Sequence, residues 1–133
     1  MVAVALAVCA VAGCGTSESD QVQAKVQQFA QAVATHDSQT LCDQIWAPAL
    51  LAHFTAVGLS CERAMQTFFA SVRDPTLAVG RVEISGNKAE AITLSGARHQ
   101  VGALDAIDLV DTSNGWRVSG LGSPLLPKSS KRK

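Results

Sequence analysis

The sequence predicts a single α+β domain, with helices in its first half and an antiparallel sheet in its second. Two observations carry that prediction. Up to Pro75 the apolar residues recur at helical spacing, and beyond it they alternate at strand spacing. Turn-forming runs (Ser85-Gly86-Asn87, Ser95-Gly96 and Asn114-Gly115) then cut the second half into strand-length pieces. Helices followed by hairpins, without alternation between the two, give an α+β arrangement rather than a parallel α/β one. A chain of 133 residues holds one such domain and can bury a real core.

Taken in order, the first helix covers Gln21 to Thr35. Val22, Val26, Phe29, Ala30 and Val33 form its apolar stripe, and Gln21, Gln28 and Gln31 its solvated face. Asp20 is the expected N-cap, with Gln23 completing a capping box. His36-Asp37-Ser38 breaks the period. Asp37 or Ser38 then caps a short helix carrying Leu41, Cys42 and Ile45. Trp46-Ala47-Pro48 interrupts it, because a residue before proline is driven out of the helical region. Pro48 suits the first turn of a third helix with Leu50, Leu51, Phe54 and Val57, which Gly58 closes as a left-handed cap. Ser60 caps a fourth, with Cys61, Met65, Phe68 and Val72 on one side, and Asp74-Pro75 stops it.

The strands follow. Leu77 to Ile84 is the first, and Gly80 marks a bulge because the apolar parity shifts there. Lys88 to Leu94 is the second, Arg98 to Val110 the third, and Trp116, Val118 and Leu121 belong to the fourth. The sheet expected is therefore an antiparallel meander of about four strands.

Ahead of the domain, Val2 to Val11 is an unbroken apolar run closed by Ala12-Gly13-Cys14. An apolar run ended by small residues reads as an export signal, and ten residues are too few to span a bilayer. In detail Val11-Ala12-Gly13-Cys14 resembles the lipobox of bacterial lipoproteins. That resemblance implies cleavage before Cys14, acylation of its thiol, and attachment to the outer side of the cell membrane. Residues 1–13 are then the leader, 14–19 a tether, 20–122 the domain, and 123–133 a basic, disordered tail. Only Met1 precedes the apolar run, where a lysine or arginine is expected, which points to a start upstream.

With Cys9 in the leader and Cys14 lipidated, Cys42 and Cys61 remain. In an extracytoplasmic domain an even pair reads as a disulfide, the alternative being two buried thiols. Neither CxxC spacing nor clustered histidine accompanies them, so no metal site is expected.

Overall charge is balanced, with 11 basic and 11 acidic side chains. Four of the basic ones, Lys128, Lys131, Arg132 and Lys133, crowd the C-terminus, which leaves an acidic body. Such a body lacks the basic face that nucleic-acid binding requires. The tail itself either lies on anionic lipid or stays solvated. There is no P-loop, GxGxxG or GxSxG, and no cofactor is implied.

Several of these features occur together in one family. The lipobox, the amphipathic first helix, the segment from Asp37 to Leu41-Cys42, Ser60-Cys61-Glu62, and the closing Gly115-Trp116-Arg117-Val118 come in that order. Together they resemble small actinobacterial lipoproteins with a nuclear-transport-factor-2-like domain, also called SnoaL-like or ketosteroid-isomerase-like. The resemblance implies a cone, with a curved sheet around helices and a pocket between them. That fold serves enzymes, ligand binders and interaction modules alike, so it does not by itself give a function.

The chain lacks tyrosine altogether, which removes the tyrosine oxyanion hole of the isomerases in this family. Its cyclase and dehydratase relatives use Asp and His. His36 and His53 read as surface or helix-edge residues. On an unbulged strand His99, Val101, Ala103, Asp105, Ile107 and Leu109 share one face, with Asp108 on the other. His99 and Asp105 are thus the acid–base candidates, set against the alternative that both are solvated at the strand edge. Trp46, Phe69 and Trp116 are the expected pocket wall. The leading expectation is a membrane-anchored, non-catalytic module for a small apolar ligand or an envelope protein. The alternatives are a small cyclase, dehydratase or isomerase using Asp105 and His99, and a purely structural envelope component.

Overall fold

Ser17 starts the fold. Its backbone is extended, and its hydroxyl oxygen accepts the Asp20 backbone N–H at 3.2 Å, capping helix α1 (Glu18–Ala34). The cap therefore lies upstream of Asp20, and Glu18 and Ser19 belong to the helix instead of a tether. A computed structural model describes residues 16–99 and 102–122. The expected leader, Cys14, Val101 and the expected tail from residue 123 lie outside the described residues.

From α1, Val22, Val26, Phe29 and Val33 enter the core as their spacing predicts, joined by Ala32. Ala30 is only half-buried, a fact that matters for the site below. Asp37 caps helix α2 (Ser38–Thr40) by accepting the Thr40 N–H at 2.9 Å and its hydroxyl at 2.7 Å. The chain then widens into one π-turn, Leu41–Ile45, closed by Trp46 N–H to the Leu41 carbonyl at 3.0 Å. Leu41 and Ile45 are fully buried there.

Ala47 is extended, as a residue before proline must be, and Pro48 opens helix α3 (Pro48–Ala56). Gly58 adopts φ +74°, the left-handed conformation expected of it. Helix α4 (Cys61–Ser71) is capped by the Ser60 hydroxyl, which accepts the Arg63 N–H at 3.3 Å. It ends before Val72, which is extended.

Four antiparallel strands follow in sequence order: β1 (Thr76–Ser85), β2 (Lys88–Gly96), β3 (Ala103–Thr112) and β4 (Gly115–Gly122). Register slips between Val79 and Val82, so the bulge falls at Gly80 and Arg81, where the parity of apolar residues shifts in the sequence. A second irregularity lies opposite Asp108 and Leu109. The two slips bend the sheet, and α1 packs on its inner face, its buried residues sharing one core cluster with Ala91, Ile107, Leu109 and Val118. The helical layer and the sheet are also joined at the backbone. Trp46 forms an isolated parallel bridge with Val118, and the Ala47 N–H donates to the Val118 carbonyl at 2.8 Å.

One boundary differs from the sequence expectation. Strand β2 does not turn at Ser95-Gly96 but runs through both residues, pairing Ser95 with Ala103 and Thr76 with Gly96. The turn comes later, at Arg98 and His99, because Arg98 docks on the end of the helical half. Its N–H donates to the Arg73 carbonyl at 2.9 Å, and its guanidinium pairs with Asp74 at 2.7 Å. Strand β3 therefore starts at Ala103, and His99 stands outside it, exposed and at φ +62°.

Candidate functional site

Inward-facing positions of β2 read Ala89, Ala91, Thr93 and Ser95. Small side chains on a concave face leave space. At the Thr93–Ser95 end that space is a cavity of about 480 Å³ between α1, the end of α4 and the sheet. Helix α1 supplies Phe29, Ala30 and Val33, and α4 supplies Phe68. Leu77, Ile107 and the half-exposed Leu121 complete its apolar wall.

The polar part of this wall is one cluster. Asp105 lies on the inward parity of β3 with Ile107 and Leu109, as the alternation predicts, while Asp108 faces out and is exposed. Thr93, opposite Asp105 in the ladder and 1% exposed, donates its hydroxyl to the Asp105 carbonyl at 3.3 Å. The Ser95 hydroxyl donates to Oδ2 of the Asp105 carboxylate. Both hydroxyl hydrogens are thus turned toward Asp105. Thr76, at the exposed start of β1, adds the remaining side-chain hydroxyl.

His99 does not join Asp105. It sits on the exposed turn and is not part of the cavity wall. Among the described residues no histidine, lysine or arginine lines the cavity, so the Asp/His pair expected from an unbroken strand is not assembled.

The expected aromatic wall is also displaced. Trp46 and Trp116 are each 3% exposed and belong to the core, Trp46 packing edge-on against Phe29 at 5.5 Å between ring centroids. Phe69 faces the other way and stacks on His36 at 4.7 Å, beside a separate shallow depression near Arg73 and Arg98. Bulky rings fill volume, and the cavity persists where small residues such as Ala30, Gly96 and Ala103 stand instead. Of the aromatics, Phe29 and Phe68 are the ones that reach it.

Cys42 and Cys61 are joined in a disulfide that clips the π-turn to the first turn of α4. Among the described residues no group of three or more His, Cys, Asp or Glu side chains is placed to hold a metal ion. Among the same residues, no helix is long and apolar enough to cross a membrane.

The helical layer inside a bent four-stranded sheet matches solved structures. An NTF-2-like protein of unknown function from Silicibacter pomeroyi superposes with a TM-score of 0.54 at 14% identity, over 76% of this chain and 89% of that one. The fold is nuclear-transport-factor-2-like. An NTF2-like protein of unknown function from Shewanella baltica gives a TM-score of 0.48 at 12% identity, over 76% and 87% of the two chains. No protein-family model and no curated protein sequence matches the chain. At these identities the likeness extends to the fold alone.

Proposed function

We propose that the chain is a lipid-anchored, extracytoplasmic binding module whose cavity takes a small, largely apolar molecule. The observation that carries this reading is the cavity itself. It is about 480 Å³, walled by Phe29, Val33, Phe68, Leu77 and Ile107, with its polar groups gathered around Asp105. Small-molecule sites commonly combine a mainly apolar wall with a few placed polar groups. The anchor rests on Val11-Ala12-Gly13-Cys14, and the Cys42–Cys61 disulfide supports an oxidising compartment. A cyclase or dehydratase reading loses its imidazole, because His99 lies outside the cavity.

Native mass spectrometry of the lipoprotein purified from membranes tests the proposal, with a Val33→Trp variant in parallel to fill the cavity. A small molecule retained by the wild type and absent from the variant is the expected result. Retention by both, or by neither, overturns it.

A further inference from the structure

The geometry points to a ligand bearing a protonated amine, its ammonium group seated on Asp105 and its apolar body along Phe29 and Phe68. This rests on the binding reading above and specifies the chemistry of the same cavity.

Two features of the wall converge on a cation, and a third on the body that carries it. First, the side-chain hydroxyls closest to Asp105 are already committed as donors. Thr93 donates to the Asp105 carbonyl and Ser95 to its Oδ2. What this cluster offers a ligand is therefore acceptor capacity: the other carboxylate oxygen and the lone pairs of two hydroxyl oxygens. A ligand whose polar end only accepts hydrogen bonds finds no donor beside the carboxylate, the one uncommitted hydroxyl being that of Thr76 at the exposed start of β1.

Second, Asp105 has no cationic partner among the described residues. The nearest arginines in sequence are engaged elsewhere, Arg98 with Asp74 at 2.7 Å and Arg117 with the Asp43 carbonyl at 2.9 Å. A carboxylate set in an apolar wall is costly to bury unless hydrogen bonds or an opposite charge offset the loss of water. A ligand that excludes water from the carboxylate must itself supply the offset. An ammonium does so with both charge and N–H donors. A carboxylate ligand would instead place like charges together.

Third, Phe29 and Phe68 line the same cavity and offer an apolar surface to the carbon skeleton that carries the amine. Val33, Leu77 and Ile107 extend that surface away from the polar cluster, so the amine's carbon skeleton is apolar and uncharged.

A matched trio tests this by calorimetry on the full chain: 4-phenylbutylamine, 4-phenylbutanol and 4-phenylbutyrate. They share one body and differ in head group. The amine should bind at least about tenfold more tightly than the alcohol, since a hydrogen bond to a charged group is worth roughly that much or more. The carboxylate should bind most weakly. In Asp105→Asn the preference for the amine should fall to within about threefold of the alcohol. If the alcohol or carboxylate binds as well as the amine to the wild type, the cationic assignment fails while the binding module stands. If none of the three binds, the assignment also fails, and retention of a natural molecule in the mass-spectrometric test judges the broader reading separately. The wild-type comparison decides the matter even if Asp105→Asn does not fold.

Discussion

The Trp46 indole N–H donates to the Met65 sulfur at 3.2 Å, a buried bond one turn further along from the Cys42–Cys61 disulfide. Both links join the same two segments, and both span 19 residues of sequence. The covalent tie fixes the start of α4, and the polar tie fixes the face that α4 turns to the core.

Met65→Leu is close to a volume-conserving change, which by itself costs less than about 1.5 kcal/mol. Here it also orphans a buried indole N–H, adding about 1–3 kcal/mol. Urea denaturation should show that extra cost in the wild type and its absence in a Trp46→Phe background. Equal costs in both backgrounds would mean that the N–H···S bond contributes nothing.

Replacing Cys42 and Cys61 together by serine should lower stability by about 3 kcal/mol, the chain-entropy value for a loop of this length. The matching observation is a fall in Tm on reduction of the wild type that the double serine variant does not share.

The Lys25 ammonium is held below the ordinary lysine value of 10.5, first by burial and then by the Arg117 guanidinium. It donates to Gln28 at 2.9 Å and to the Gln44 carbonyl at 3.3 Å, while Arg117 donates to the Asp43 carbonyl at 2.9 Å. Two cations thus converge on the carbonyl end of the π-turn. Because the folded chain releases this proton more readily than the unfolded one, stability rises with pH between the lowered folded value and 10.5. Tyrosine, which would titrate in the same range, is absent from the sequence. Lys25→Met should abolish the rise in denaturation series across that window. An unchanged slope would remove Lys25 as its source.

Asp37 acts in the same sense at the acid end of the scale. The backbone N–H of Thr40, and then its hydroxyl, hold the Asp37 carboxyl below 3.8. The stability this contributes is complete above 3.8 and is lost as pH falls through the lowered value. Asp37→Asn should flatten the acid limb of the stability profile below pH 3.8, measured by thermal melts.

Much of this architecture is legible in local sequence. The caps at Asp37 and Ser60, the break at Ala47-Pro48 and the bulge at Gly80 are each set by a few neighbouring residues. The inward setting of Asp105 follows from strand parity alone. The position of His99 does not, because the turn that holds it depends on Arg98 reaching Arg73 and Asp74, a tertiary contact with no local signature. The fate of the large aromatics is hidden for a similar reason. Trp46, Trp116 and Phe69 have the chemistry of a pocket wall, but packing against Phe29, Met65 and His36 decides where their volume goes. A readable clue to the cavity lies in Ala89, Ala91, Thr93 and Ser95, a run of small residues on the inward face of β2.

Both margins of the sheet carry a deterrent against further strand pairing. On β1 the bulge at Gly80 and Arg81 interrupts the ladder, and Arg81 and Glu83 add exposed charges beside it. On β4 the backbone at Val118 is already engaged by Trp46 and Ala47. A strand from a neighbouring copy would find neither edge both flat and wholly vacant. The contacts that hold the helices in place thus also guard against amyloid-like growth.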